Sequence, residues 1–300
     1  MSQNSRQETV SLVLGSGGAR GLAHIGVIEC LEENGYRIES VSGCSMGALV
    51  GGIYATGKLS LFESWVRSVT RLEIVTLLDL AWSKSGLVKG DKIINTLKKL
   101  VGDVAIEDLP IAYTAVAADI ENEKEIWLNS GSLFDAIRAS ISLPLFFTPF
   151  RYRDINLIDG GVLNPVPIAP TFGDATDLTI AVNLGGRAMS TPIAETPAVT
   201  RPAKSSPISD RISERINDFI AGFTDSAASV AHIDWDAYDV ANQAFDAMQG
   251  TIARQKLAAY PADRYIEIPR NACKTLEFDR ADEMIELGYQ KTEEMLASSV

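Results

Sequence analysis

The sequence predicts an α/β fold in three layers, with a mainly parallel central sheet between layers of helices. Two strand–loop–helix units follow each other directly in residues 12–55, and short apolar strands continue to alternate with helical segments up to about residue 185. Strands and helices that alternate in this way form parallel sheets with helices on their faces. With 46% apolar residues in 300, the chain is long enough for the sizeable core that this fold requires.

The first unit is a short buried strand at 12–14, a glycine-rich loop, and a helix from about Gly21 to Glu33. The second unit starts with a strand at 41–44 and continues, after a turn at Ser45, into a helix of small residues. The turn reads Gly-Cys-Ser-Met-Gly and has the form G-x-S-x-G, which presents a serine nucleophile between a strand and a helix. Ser45 is therefore a candidate nucleophile.

The glycine-rich loop GSGGARG, residues 15–21, has two possible functions. A phosphate-binding loop of a dinucleotide fold would require glycine where Arg20 stands, and an acidic residue after the second strand. An oxyanion hole requires only free backbone N–H groups at a helix N-terminus, next to the serine turn. The sequence favours the oxyanion hole. A near match to a nucleotide-binding P-loop at 52–59 lacks the magnesium-binding serine or threonine, because Leu59 stands there.

Further strands are expected at 111–120, at 124–129, and from residues 156 and 178 onward, with a helix in SLFDAIRASIS, residues 132–142. These elements divide the chain into a catalytic core at 8–185, a flexible linker or loop at 186–210, and a C-terminal helical region at 211–300 that packs on the core. The linker prediction rests on proline, alanine, serine and threonine without apolar periodicity. The C-terminal region includes a late edge strand, RYIEIP, at 264–269.

Composition excludes several functional classes. The net charge of −12 disfavours nucleic acid and anionic lipid as partners. The three cysteines and two histidines are scattered, which predicts that the protein has no metal site. No cofactor is expected. The polar N-terminal segment and the lack of a long apolar stretch predict a cytoplasmic protein, with a peripheral position at the inner membrane surface as the alternative.

The residue that accepts the proton of Ser45 is not fixed by these patterns. A triad could run Ser45, Asp159, His232 along the chain, although His232 lies in a segment where a solvated or packed histidine is the simpler interpretation. His24 is expected to satisfy a local hydrogen bond. Asp159 ends an apolar strand before two glycines, and a buried carboxylate can act as the base directly. An aspartate in a turn before glycine is the structural alternative.

Four segments together resemble the signature blocks of the patatin-like phospholipases: GSGGARG, GCSMG, RASISLPLFFTPF and DGGVLNPVP, in the order of that family and over roughly residues 10–185. The resemblance implies a serine lipid acyl hydrolase, of phospholipase A type, that works through an acyl-enzyme. It also implies a dyad of Ser45 and Asp159 without a catalytic histidine. The oxyanion hole is then expected at Gly17 and Gly18, with Ala19 and Met46 beside them.

The apolar patch around residues 143–147 is interpreted either as core packing or as the wall of an acyl-chain pocket formed by Leu143, Pro144, Phe146 and Phe147. The expected partner is a lipid or acyl-ester substrate. Apolar stretches at 60–82 also suggest a peripheral membrane contact or a homodimer. Two other functions stay open: a conventional Ser-Asp-His esterase, and a lipid-binding or regulatory protein without turnover.

Overall fold

The structure is a computed structural model that describes residues 7–70, 73–74, 88–189 and 235–298. One sheet of eight strands runs through the described residues. The strands are β1 (Thr9–Leu14), β2 (Arg37–Cys44), β3 (Ala112–Asp119), β4 (Lys124–Leu128), β5 (Phe150–Tyr152), β6 (Ile155–Asp159), β7 (Leu178–Gly186) and β8 (Arg264–Pro269). The helices are α1 (Ala23–Glu33), α2 (Met46–Ala55), α3 (Leu59–Ser68), α4 (Asp91–Val101), α5 (Leu133–Ser140), α6 (Trp235–Ala259) and α7 (Ala281–Ala297).

As a path of hydrogen-bonded neighbours, the strand order is β5-β6-β3-β2-β1-β7-β8. Strand β4 also pairs with β3, outside this path. The pairs among β1, β2, β3, β7 and β8 are parallel, whereas β4, β5 and β6 pair antiparallel at one side of the sheet. The α/β fold with a mainly parallel central sheet flanked by helices is therefore confirmed.

The alternating side chains of β1 separate the two faces of the sheet. Leu12 and Leu14 belong to the larger apolar core, which α1, α2 and α7 also enter. Val13 points the other way and packs in a smaller cluster with Val166 and with Ala253 of α6. Because both faces are covered, β1 is buried along its whole length and its sequence is apolar on both sides, apart from Thr9 and Ser11, whose hydroxyls bond acidic side chains.

Helices α1 and α7 lie on the face of the sheet that carries the larger apolar core, and they pack with almost no space between their backbones. A Cβ atom at Gly26 of α1 would collide with the carbonyl of Ile285, and a Cβ at Gly288 of α7 would collide with the carbonyl of Ala23. The two glycines are thus required by close helix approach. Through this contact the C-terminal helix is fixed against the helix that follows the glycine-rich loop.

Strand β3 has three partners, and the way they share its two edges determines where the site forms. Strand β4 pairs with residues 115–119 and overlaps with both other partners, so it must occupy one edge alone. Strands β2 and β6 therefore share the opposite edge, where β2 pairs with residues 112–116 and β6 with 117–119. Since β2 is parallel to β3 and β6 is antiparallel, their C-terminal ends meet.

The strands expected from the sequence at 111–120, 124–129, 178 onward and 264–269 correspond to β3, β4, β7 and β8. Most of the predicted linker at 186–210 and the first part of the predicted C-terminal region lie outside the described residues, so the proposed division of the chain stays a prediction. In the part that is described, β8 joins the sheet beside β7 and α7 packs on α1. Among the described helices none is both long and apolar enough to cross a bilayer.

Candidate active site

Ser45 sits at the sharp turn between β2 and α2, with a positive φ of 54° and a ψ of −121°. Such a conformation is unfavourable for a residue with a side chain, and it is maintained only where the surroundings fix it. The glycines of the motif allow the chain to turn this tightly. A Cβ at Gly43 would lie 2.5 Å from the carbonyl of Gly47, and a Cβ at Gly47 would collide with the carbonyl of Leu14.

The backbone of the turn is held by a buried serine of α5. The N–H of Ser45 donates to Ser140 Oγ at 2.9 Å, and the Ser140 hydroxyl donates in turn to the carbonyl of Val116 in β3 at 2.6 Å. Ser140 is fully buried, so removing its hydroxyl would break both of these hydrogen bonds in a place that water does not reach. Ser140 therefore connects the turn at Ser45 to the sheet.

Asp159 is fully buried at the C-terminal end of β6. Its backbone N–H donates to the carbonyl of Ser142 at 2.9 Å, so the segment that holds Ser45 through Ser140 also holds Asp159. Oδ1 of Asp159 accepts the N–H of Gly161 at 2.8 Å and the thiol of Cys44 at 3.8 Å. Oδ2 is buried and has no hydrogen-bond partner among the described residues. One carboxylate oxygen is thus oriented by the protein and the other is available.

Burial raises the pKa of Asp159 from 3.8 to about 6, because desolvation disfavours its charged form. The hydroxyl of Ser45, the N–H of Gly161 and the thiol of Cys44 act in the opposite direction and lower it. Ser45 is thus near enough to stabilise the carboxylate, although no hydrogen bond of standard geometry reaches Oδ2. A carboxylate with a pKa near 6 is ionised at neutral pH and is a stronger base than an exposed one.

The glycine-rich loop is anchored on both sides of Gly17 and Gly18. Before them, the N–H of Gly15 donates to Val182 and that of Ser16 donates to Pro165, at 3.1 and 2.8 Å. The N–H groups of Gly17 and Gly18 themselves form no hydrogen bond within the described residues. Two adjacent free donors therefore lie between fixed points, as an oxyanion hole requires.

Ala19, which the sequence predicted as part of the hole, has its N–H bonded to the carbonyl of Thr275 at 2.8 Å. That donor is already used, so we leave Ala19 out of the candidate hole. Met46 is the first residue of α2, and its N–H is unbonded within the described residues. A Cβ at Gly21 would collide with the Met46 side chain, so the glycine loop and the serine turn are in direct contact.

His24 belongs to α1 and supports the glycine-rich loop through a hydrogen bond. Its Nε2 lies 2.9 Å from the carbonyl of Gly15, to which it must donate, and the ring is fully buried. Burial lowers its pKa to about 4, so the imidazole is neutral at physiological pH. His232 lies outside the described residues. Among those residues, no cluster of His, Cys, Asp or Glu is arranged to bind a metal ion.

An apolar cleft of about 890 Å³, part of it open to solvent, extends from Ser45. Leu143, Phe146 and Phe147 line it as predicted for the patch, whereas Pro144 does not belong to its lining. Apart from Ser45 and Thr275, the lining side chains are apolar, so the cleft suits a hydrocarbon chain that ends at the serine.

Sequence reasoning did not identify several residues of this site. Phe62 and Trp65 of α3, and Phe278 near the C-terminus, also line the cleft. Arg138 of α5 donates to the carbonyls of Lys89 and Thr148, and thereby holds the loop that carries Phe147. The sequence of residues 132–142 predicted a helix but not the contacts of Arg138. Phe62, Trp65 and Phe278 are far from Ser45 in the sequence, and only the fold makes them neighbours of the cleft.

Several known proteins are similar to this chain. A family model described as patatin-like phospholipase matches residues 12–172. An uncharacterized NTE family protein of Mycobacterium tuberculosis is 38% identical, over 95% of this chain and 91% of that protein. The lysophospholipase NTE1 of Saccharomyces cerevisiae is 31% identical, over 62% of this chain and 11% of its own length. The solved structure of VipD from Legionella pneumophila aligns over 97% of this chain and 67% of its own, with a TM-score of 0.48 and 15% identity.

The raised pKa of Asp159 predicts how Asp159→Asn changes stability with pH. Because the folded state binds the Asp159 proton more tightly than the unfolded chain, protonation stabilises the fold. This contribution is complete below a pH of 3.8 and is lost as the pH rises through about 6. Its full size is about 3 kcal/mol.

Asparagine carries no such proton. The free energy of unfolding of Asp159→Asn, relative to the parent, should therefore increase by about 2 kcal/mol between about pH 4.5 and about pH 8. Urea unfolding at both pH values measures this difference. Asp154→Asn, a matched change at a side chain that is 98% exposed, is the control and should give a difference that does not change with pH. An Asp159→Asn difference as flat as that of the control would show that Asp159 is not a desolvated acid.

Proposed function

This chain belongs to the patatin-like phospholipase family and is a lipid ester hydrolase, and from this premise we propose that Ser45 and Asp159 are its catalytic dyad. The observation that carries the proposal is the position of a fully buried carboxylate, with one free oxygen, at the strand end that meets the strand end of Ser45. His24 does not offer the Ser45 hydroxyl a base, since its Nε2 is committed to the carbonyl of Gly15.

In the proposed mechanism Ser45 Oγ attacks the acyl carbonyl while Asp159 accepts the hydroxyl proton. The carbonyl oxygen becomes negative and is bound by the N–H groups of Gly17, Gly18 and Met46, with the positive end of the α2 dipole beneath it. Asp159 then returns the proton to the departing alcohol oxygen as the carbon–oxygen bond breaks, and leaves an acyl-Ser45. A water molecule repeats both steps, releases the fatty acid and restores the serine.

The substrate class that we propose is an acyl ester of a lipid with a hydrocarbon chain in the apolar cleft. Leu143, Phe146 and Phe147 then form part of the acyl-chain wall, together with Phe62 and Trp65. The name lysophospholipase of the yeast relative supports lysophospholipids as the first substrates to assay. The alternatives are a triad that uses His232 and a lipid-binding protein without turnover.

Variants of the two dyad residues separate these alternatives. Ser45→Ala and Asp159→Asn should each lower kcat/KM on a p-nitrophenyl ester by at least about a thousand-fold, because each removes a member of one unit. For the same reason, the double variant should be little worse than either single one. His232→Ala should keep most of the turnover.

Ser64→Ala and Asp154→Asn are matched controls on exposed side chains and should retain the parent rate. A folded His232→Ala that loses activity by orders of magnitude would replace the dyad with a triad. If Ser45→Ala retains activity within a few-fold of the parent, the serine mechanism is excluded.

We also propose that the protein contacts a lipid surface at the cleft. Leu145 lies between cleft residues Leu143 and Phe146, and its side chain is 64% exposed. Its φ of 66° is in the left-handed region, which is unfavourable for leucine. The negative net charge favours a neutral rather than an anionic surface.

Leu145→Glu should weaken binding to phosphatidylcholine vesicles by about ten-fold to a hundred-fold, since about 1.5–3 kcal/mol of apolar burial is lost. Its turnover of a soluble ester should stay unchanged. Phe172→Glu changes an equally exposed apolar residue outside the cleft lining and is the control. Vesicle flotation measures binding. Equal binding of Leu145→Glu and the parent would contradict the proposal, and a parent dimer in sedimentation that Leu145→Glu dissociates would assign this surface to a homodimer instead.

A further inference from the structure

Helix α6 presents a row of polar side chains to the glycine-rich loop. Asn242, Asp246 and Gln249 have the spacing i, i+4 and i+7, which places them on one face of the helix. Asn242 Nδ2 donates to Thr275 Oγ1 at 2.8 Å, Asp246 Oδ1 pairs with Arg20 Nη2 at 3.0 Å, and Gln249 Nε2 donates to Ser16 Oγ at 3.1 Å. We call these three residues the polar row.

The polar row is on a more buried face of α6 than the apolar residue Met248. The side chain of Met248 is 57% exposed, whereas Gln249 is only 6% exposed. Burying polar side chains is unfavourable unless their hydrogen bonds are satisfied. The orientation of α6 is therefore determined in part by the partners of the polar row. Two of these partners, Ser16 and Arg20, belong to the glycine-rich loop, and the third is Thr275.

These contacts lie on both sides of Gly17 and Gly18. Gln249 holds the side chain of Ser16, directly before the two glycines. Asp246 holds Arg20, which follows them and also donates to the carbonyl of Arg270 at 2.9 Å.

Asn242 acts on the same pair of glycines through Thr275. The carbonyl of Thr275 accepts the N–H of Ala19, and its side chain lies where a Cβ of Gly18 would be. The orientation of both free N–H groups is thus bounded by residues that α6 holds.

We propose that Asn242, Asp246 and Gln249 are positioning residues that set the direction of the N–H groups of Gly17 and Gly18 toward the reacting carbonyl oxygen. Helix α6 lies beyond residues 12–172, and this proposal assigns it a part in catalysis as well as in packing. The proposal rests on the function proposed above, because it needs an oxyanion at that place.

An oxyanion hole acts on charge that develops only in the transition state. A variant enzyme in which these N–H groups no longer point at the oxyanion should therefore turn over substrate more slowly but bind it as before. Misplacement by about 1 Å can reduce rates by about a hundred-fold. The signature of the polar row is accordingly a lower kcat with an unchanged KM, whereas damage to the acyl-chain cleft would raise KM.

The test compares kcat and KM for a p-nitrophenyl ester in Gln249→Ala, Asp246→Ala and Asp246→Glu. The first two should lower kcat by about ten-fold or more with KM within about two-fold of the parent. Asp246→Glu keeps the ion pair with Arg20 and should recover most of kcat. The second-order rate of phosphonylation by a fluorophosphonate, which passes through a similar oxyanion, should fall in parallel with kcat.

Lys256→Ala is the matched control on the same helix. Lys256 pairs with Glu125 at 2.5 Å and contacts no residue of the glycine-rich loop, so this change loosens α6 without touching the polar row. Its kcat should stay within about two-fold of the parent. Should Asp246→Ala fail to fold, Gln249→Ala and Asn242→Ala provide the same comparison.

The proposal is overturned if Gln249→Ala and Asp246→Ala keep the parent kcat, if their effect is on KM alone, or if Lys256→Ala loses as much kcat as they do. These results are informative once the parent hydrolyses the ester and Ser45→Ala does not. If the parent is inactive, or if Ser45→Ala is active, the proposed function fails rather than the role of the polar row.

Discussion

The meeting of two strand ends on one edge of β3 is the constraint on which the rest of the site depends. Cys44, the last residue of β2, pairs with Val116, and Asp159, the last residue of β6, pairs with Ala117. Because β2 and β6 enter from opposite directions and their partners are consecutive, Ser45 and Asp159 are adjacent by the register of the sheet. Their separation is therefore set by backbone hydrogen bonds and does not depend on a flexible loop.

This closeness explains which residues surround the pair. Two strands can end against each other only if the chain turns away from the sheet directly after each strand. The turn at Ser45 meets this requirement with a positive φ, which is unfavourable for serine. A Cβ at Gly160 would collide with the carbonyl of Val116, so the chain after Asp159 also needs a glycine. Ser140 binds Ser45 and Val116 together. The burial that results leaves Asp159 desolvated, and this raises its pKa toward neutrality.

The sequence predicted the parallel part of the sheet well, because buried strands and glycine turns are local signals. The direction of β6 is not a local signal: an apolar strand that ends in aspartate reads the same whether it pairs parallel or antiparallel. Asp159 as the candidate base was accordingly indicated by the family resemblance and not by periodicity. Apolar periodicity also could not indicate the polar contacts of α6, since the partners of Gln249 and Asp246 are charged or polar groups more than 200 residues away. The use of the Ala19 N–H by Thr275 is equally non-local.

Activation of Ser45 by Asp159 is tested most directly by the pH dependence of fluorophosphonate labelling, with intact mass as the readout. The rate of labelling at Ser45 should rise with pH and level off above about 6, where Asp159 becomes ionised. The same profile should appear in His24→Ala and His232→Ala, and labelling should be nearly absent in Asp159→Asn. A profile that disappears in His232→Ala but persists in Asp159→Asn would contradict the dyad and identify an imidazole as the base.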